Sequence, residues 1–366
     1  MKSVLHLVLC LMTGLVAMAQ SPGLTINQQL EDYDLTVKYI EDNYAGFPDK
    51  VVDSTRAAYE TMKYRLRDQV VGGESTTWNA LAHYTAWFND RHLRLQGSFL
   101  NEDDHWRGYT NQYWLRQEIY YDELMEEYDP KPVACKVTDK TFLIRFPTCD
   151  MELLDLKWVK NSIKLFKKSH CENLIIDIRG NGGGADAMFN PFLNLLYDHA
   201  GTVTGAEIRN TPQNREYQAV HGGMPKRVQR ILAQNPDMEF FIYNNGILSG
   251  GKKTNDVRRA ALIIDDGVWS AGEQMVLCMK ACSDRVTVFG RDNTGGGLDY
   301  SSLAYLKFKY QDAYFSVPMT RRIGLPETSI DKNGIAPDVR ITLPLPSKLT
   351  DNIDEWVIWV AEQLEK

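Results

Sequence analysis

Past residue 19 this chain has no apolar run of membrane length, no block of five basic residues, no Cys-x-x-Cys pair and no low-complexity tract. Each absence closes a class. A transmembrane helix requires ~20 apolar residues. Nucleic acid is a poor partner for a chain with 41 Lys and Arg against 48 Asp and Glu, a net charge of −7. Without clustered cysteine pairs no zinc site is in view, and without a repeat of roughly 20 to 50 residues a solenoid or propeller is excluded. What is present is 366 residues, 43% hydrophobic, enough for a sizeable core.

The one long apolar run lies at the start. Met1-Lys2 precede an apolar stretch from Val4 to Ala17, and Ala17-Met18-Ala19 closes it with small residues, the pattern of a secretory signal over residues 1–19. The expectation is an exported protein, periplasmic or extracellular, with no stable membrane insertion after cleavage. Cys10 follows Val8-Leu9 rather than small residues, which argues against lipidation. Five cysteines then remain, Cys135, Cys149, Cys171, Cys278 and Cys282. An odd, irregular set in a chain of this size reads as buried free thiols.

Apolar residues recur three and four apart between Thr25 and about Asp90, so residues 20–95 read as a helical N-terminal region. Residues 96–132 are polar, aromatic-rich and of mixed charge, a linker or small lid-like subdomain. From Val133 to Lys366 short β-rich runs (Ala134–Val137, Phe142–Phe146, Leu174–Ile178, Phe240–Tyr243, Ala261–Ile264, Val286–Phe289, Tyr314–Pro318) alternate with helical stretches (Leu153–Ser169, Ala185–Asp198, Lys226–Ala233, Ala271–Cys282). That alternation predicts an α/β sheet covered by helices. The polar stretch Asn210–Asn255 is a surface excursion or part of a substrate groove.

Two strand-to-helix junctions carry chemistry. In the first, Leu174–Ile178 runs through Arg179 into Gly180-Asn181-Gly182-Gly183-Gly184, a loop that aims backbone N–H groups at an anion. A P-loop would require Gly-Lys-Ser/Thr, which is absent. Gly180-x-Gly182-x-x-Ala185 matches a dinucleotide fingerprint only formally, leaving an oxyanion hole as the third use. In the second, Ala261–Ile264 leads through Asp265-Asp266-Gly267-Val268-Trp269 to Ser270-Ala271-Gly272-Glu273. Ser270 with Glu273 spells a capping box, yet a serine at a helix start also has the next N–H available for an oxyanion. Among the histidines, His92 stands at an element boundary, after Asn89-Asp90-Arg91 and before the alternating Leu93-Arg94-Leu95.

Asp90-x-His92-x-x-Leu95, Asp177-x-Arg179-x-Asn181-x-Gly183-Gly184, Ser270-Ala271-x-Glu273 and Gly334-Ile335-x-Pro337-Asp338 occur in that order. This series resembles the serine peptidase family of C-terminal processing (tail-specific) proteases, in its tricorn-like branch. The resemblance implies a ClpP/crotonase-like ββα core in which Ser270 is the nucleophile and the N–H groups of Ala271 and of Gly182 or Gly183 form the oxyanion hole, without metal or cofactor. Gly295-Gly296-Gly297 stand where one branch of the family has its lysine base, Lys280 lies too near and Lys307 and Lys309 too far, so His92 is the implied base. Its acidic partner would be Asp331, with Glu327 and Asp90 as alternatives. Between His92 and Thr141 there is too little chain for a PDZ domain of roughly 80 to 100 residues, so no tail-reading module is expected. Arg321-Arg322 offer charge for a substrate carboxylate. The implied activity is an endopeptidase working through an acyl-enzyme on peptide or protein substrates; the alternative is a catalytically silent peptide- or lipid-binding protein on the same fold.

Overall fold

The computed structural model describes residues 23–97, 131–222, 224–346, 349–350 and 352–366; the segment read as a secretory signal and nearly all of 96–132 lie outside them. The chain opens with helices α1 (Ile26–Asn43), α2 (Phe47–Lys50), α3 (Asp53–Val71) and α4 (Thr77–Trp87), followed by strand β1 (Arg94–Gly97). Thr25 and Gln28 cap α1 reciprocally, a capping box that fixes where the helix begins. The helical spacing puts Tyr33, Val37 and Ile40 on one buried stripe, against Tyr59, Leu66 and Val70 of α3 and Leu81 and Tyr84 of α4.

Next come β2 (Val133–Lys136), β3 (Thr141–Arg145), α5 (Leu156–Ser169), β4 (Asn173–Asp177), α6 (Asn190–Leu196), β5 (Gly201–Thr202), β6 (Ala206–Arg209), α7 (Pro212–His221), α8 (Lys226–Gln234), β7 (Phe240–Asn244) and β8 (Ile247–Leu248). The chain closes with β9 (Arg259–Ile264), α9 (Ala271–Cys282), β10 (Val286–Gly290), β11 (Tyr300–Lys307), β12 (Ala313–Arg322), β13 (Val339–Arg340) and α10 (Glu355–Glu365). The central sheet has the order β13-β10-β9-β4-β3-β2, parallel except for the β2–β3 pair. Parallel strands are covered on both faces, so alternate residues enter two different apolar cores. Ile144, Ile176, Leu262 and Val288 pack with α5, α6 and α9, while Leu143, Ile175, Ile263 and Phe289 pack with Trp356, Val357 and Val360 of α10. This is the expected α/β class, with a ClpP/crotonase-like core and a helical N-terminal region.

A second, antiparallel sheet runs β1-β12-β6-β7, with β11 on β12. Phe315 and Val317 of β12 join the N-terminal helical core. Met319 of β12 and Ile208 of β6 bury a smaller cluster with Leu232 of α8. The helical region is thus joined to this antiparallel sheet through β1 and β12. Between residues 210 and 255 the expected polar excursion is ordered into α7, α8, β7 and β8. The helix expected over 185–198 is split, because Pro191 restarts it in its first turn. Of the described cysteines, Cys149, Cys171, Cys278 and Cys282 are buried free thiols and Cys135 is half-buried.

Candidate active site

Ser270 sits where β9 turns into α9, with φ 51° and ψ −121°, a backbone region costly for any residue with a Cβ. Glu273 holds it there. Its wholly buried carboxylate accepts the Ser270 N–H, the Thr294 hydroxyl at 2.5 Å, and the N–H groups of Gly296 and Gly297 at 3.0 and 2.8 Å. Burial raises the carboxyl above its ordinary value while those bonds pull it back. Only half of a capping box therefore forms: Glu273 takes the backbone N–H of Ser270, but the Ser270 side chain caps nothing. Its hydroxyl is left free for chemistry.

The glycine loop packs directly on this turn. A Cβ at Gly183, where φ is +99°, would lie 2.7 Å from Ser270 Cβ, so only glycine permits the approach. Trp269 N–H donates to the Asn181 carbonyl at 3.0 Å, and Asp265 Oδ1 accepts the N–H groups of Gly180 at 2.8 Å and Gly267 at 3.0 Å. Burial pushes Asp265 up to about 8, so at neutral pH this tie carries a proton. Of the expected oxyanion donors, Gly183 is committed elsewhere, its N–H donating to Asn181 Oδ1 at 3.0 Å. Among the described residues the N–H groups of Ala271 and Gly182 have no acceptor. Ala271 opens α9, where the N–H groups have no intrahelical acceptor and favour negative charge.

Asp177 and Arg179 of the same motif serve architecture. With Arg145 and Asp354 they form a fully buried quartet of two cations and two anions, Arg179 bonding Asp177 at 2.7 Å and Asp354 at 2.6 Å, and Arg145 the same pair at 2.8 and 3.0 Å. The two guanidinium groups hold Asp177 far below the ordinary carboxylate range despite its burial. Asp354 caps α10, so the quartet pins that helix beneath the glycine loop.

His92 enters from the other sheet. Its backbone N–H donates to Asp90 Oδ1 at 2.8 Å, and Asp90 Oδ2 accepts the Tyr44 hydroxyl at 2.6 Å. The ring Nδ1 lies 2.7 Å from the Tyr300 carbonyl. A carbonyl only accepts, so Nδ1 carries the proton and Nε2 keeps its lone pair. Burial lowers the ring below its ordinary value, against the opposing pull of Asp90 and the Tyr300 carbonyl. Arg91 lies over the Trp269 ring at 4.4 Å, so the residues preceding His92 and Ser270 touch. No hydrogen bond joins the Ser270 hydroxyl to the His92 ring.

Asp331, the expected acidic partner of His92, makes no hydrogen bond to the ring. The Tyr300 carbonyl occupies the ring position assigned to Asp331, and Asp90 and Arg94 are the charges acting on His92. Asp331 Oδ1 accepts instead the N–H groups of Leu298 and Asp299 at 2.7 and 2.8 Å, while Asp299 takes the Ser329 hydroxyl at 2.5 Å and the Ile330 N–H at 2.8 Å. The two carboxylates clasp each other's backbone, just before Tyr300. Burial and the Asp299 charge push Asp331 up to about 7. Glu327 is exposed in a turn and makes no bond to the ring. Lys280 is paired with Asp338, away from Ser270. Arg321 is paired with Asp49 and Glu207. Sequence reasoning missed the Tyr300 carbonyl, a backbone group with no residue signature, and the loop-binding role of Glu273, whose only signal was its third-position spacing from Ser270.

Ser270 and Ala271 open onto a cavity of about 570 Å³ whose wall includes Asp186, Gln218, Tyr243 and Arg322. Residues of the 210–255 stretch thus line the groove.

Residues 141–341 match the model of peptidase family S41. No curated protein matches the chain by sequence. Among solved structures, a peptidase candidate from Parabacteroides merdae ATCC 43184 is 17% identical, with 94% of this chain and 98% of that one covered at a TM-score of 0.56. Mature CPAF is 11% identical, with 94% and 97% covered at a TM-score of 0.58. These likenesses are of fold. The family match spans more than half of the sequence, and with it the chain belongs to peptidase family S41 and is a serine peptidase.

Proposed function

We propose that this protein is an exported endopeptidase in which Ser270 is the nucleophile and His92 the general base. The observation that carries the reading is the free Ser270 hydroxyl at a strained helix start, beside the unpaired N–H of Ala271. Ser270 Oγ attacks the scissile carbonyl, and its proton passes to His92 Nε2. The oxyanion is taken by the N–H groups of Ala271 and Gly182, and the proton is then given to the departing amine, leaving an acyl-enzyme that water hydrolyses. Transfer requires the Ser270–His92 gap to close on substrate, as catalytic hydrogen bonds commonly tighten in the Michaelis complex. In place of a carboxylate, the Tyr300 carbonyl fixes the His92 tautomer. Asp331 and Asp299 act one step back, by holding the segment that presents it. The leader over residues 1–19 directs export, so the mature chain begins at Gln20.

The test is a fluorophosphonate probe on the mature protein. Wild type is labelled on Ser270 and Ser270→Ala is not, while casein is cleaved by the first alone. Absence of labelling and cleavage in the wild type would make the chain a binding protein on a peptidase fold. N-terminal sequencing of exported material tests the leader.

A further inference from the structure

Arg322 ends β12 on the wall of the Ser270 cavity, and only 7% of its surface is exposed. Of its five N–H donors one is used: Nε donates to the Thr328 carbonyl at a long 3.3 Å. Nη1 is fully buried and has no partner, and no hydrogen bond is made by Nη2. The nearest anion, Asp299, meets Nε at 3.8 Å and has its oxygens committed to the Ser329–Asp331 segment. Buried guanidinium groups are ordinarily satisfied, and leaving one open is costly. The Arg145 and Arg179 pair, each bonded to two carboxylates, shows what satisfaction looks like in this molecule. Gln218 lines the same cavity; its Oε1 is buried without a partner, and its Nε2 meets only Met319 Sδ at 3.7 Å. Asp186, the acid on this wall, makes no ion pair or hydrogen bond with Arg322 among the described residues.

We propose that Arg322 is the specificity-determining residue of the cavity, its unpaired Nη2 taking a carboxylate of the bound peptide. A guanidinium donor left unpaired forms a strong charge-assisted bond with a carboxylate, in a fixed planar geometry that an ammonium cannot reproduce. The carboxylate comes from an internal Asp or Glu side chain or from a free C-terminus; both present the same group. The proposal rests on the peptidase reading of the cavity, but its test does not require turnover.

The full mature chain carrying Ser270→Ala is immobilised and exposed to a chymotryptic digest of casein, and retained peptides are identified by mass spectrometry. Three digests are compared: untreated, with C-termini alone amidated, and with all carboxyls methyl-esterified. The expected result is at least tenfold lower retention after full esterification, and the same loss when Arg322→Gln or Arg322→Lys is combined with Ser270→Ala. Melting curves verify that these variants are folded, and fluorophosphonate labelling of each Arg322 variant with Ser270 intact reports the peptidase reading separately. If amidation alone abolishes retention, the anchor reads a C-terminus; if only full esterification does, it reads acidic side chains. Equal retention of the esterified digest, unchanged retention by Arg322→Gln, or no retention by the Arg322 protein overturns the proposal.

Discussion

Replacing Asp331 by asparagine separates a carboxylate that orients His92 from one that braces a loop, because the two roles demand opposite outcomes. The side chain accepts two backbone N–H groups through Oδ1, which an amide oxygen reproduces. What asparagine removes is the charge, and that charge is unfavourable here: burial and Asp299 raise the carboxyl from 3.8 to about 7. The folded state therefore holds a proton that the unfolded chain releases near 3.8. Stability linked to that proton is fully present below 3.8 and is lost as pH rises towards about 7. At about 1.4 kcal/mol per tenfold change in acidity the loss has a ceiling of about 4 kcal/mol, and partial exposure and the shared Asp299 field bring it to about 2 kcal/mol. Urea unfolding at pH 8.5 should show Asp331→Asn more stable than wild type by about that amount, with the difference vanishing at pH 4. Other titrating groups are common to both proteins and cancel. Cleavage of casein should stay within a few fold, since the Tyr300 carbonyl still meets His92. A variant less stable at pH 8.5 and slower by the ~10⁴ typical of a lost triad acid would refute this and return Asp331 to the ring.

Glu273→Ala leaves three N–H groups and the Thr294 hydroxyl without their acceptor, at about 1 kcal/mol or more each, so unfolding by urea should show a loss of about 3 kcal/mol or more together with loss of fluorophosphonate labelling; wild-type stability would contradict the role. Because burial lowers His92 below 6.5, the acid limb of kcat/KM should fall below pH 6.5, and the stability tied to its neutral form is present above 6.5 and lost as pH falls through the lower folded value. A midpoint above 7, measured by the ring's NMR shift, would contradict the burial. Gly183→Ala forces a Cβ to within 2.7 Å of Ser270 at φ +99° and should reduce probe labelling more than a hundredfold in a chain that still melts cooperatively.

The parallel sheet was legible because its strands are short apolar runs between glycine-bearing turns, and burial on both faces lets composition alone mark them. Tyr300–Lys307 of β11 escaped notice since its partly exposed residues carry too weak an apolar alternation to announce a strand. Ala206–Arg209 of β6 is shorter still. Ser270 was legible as one of two readings, and the structure shows why spacing could not separate them: Glu273 performs its half of a capping box while the serine abstains. Asp177 and Arg179 read as part of an anion loop and stand instead in a buried quartet whose other members, Arg145 and Asp354, are remote in sequence. The bond of Asp331 to Asp299, thirty-two positions away, has no local pattern to announce it.

These misses share a cause in the way the site is assembled. Ser270 and the glycine loop hang from the C-terminal ends of parallel strands β9 and β4, where rigid neighbours dictate their geometry. His92 is borne by the segment before β1, and the carbonyl that fixes its tautomer by the first residue of β11, both in the other sheet. The placement of Ser270 relative to His92 is therefore set by how the two sheets meet. Three contacts govern that meeting: Arg91 on Trp269, Glu273 on the 294–297 loop, and the reciprocal Asp299–Asp331 clasp. Each couples residues that no local pattern links, and a substitution that breaks any of them is expected to move His92 relative to Ser270 without touching either side chain. Remote positions of this kind should lower kcat while leaving substrate binding intact, because displacement of a catalytic group by about 1 Å is enough to cost two orders of magnitude in rate.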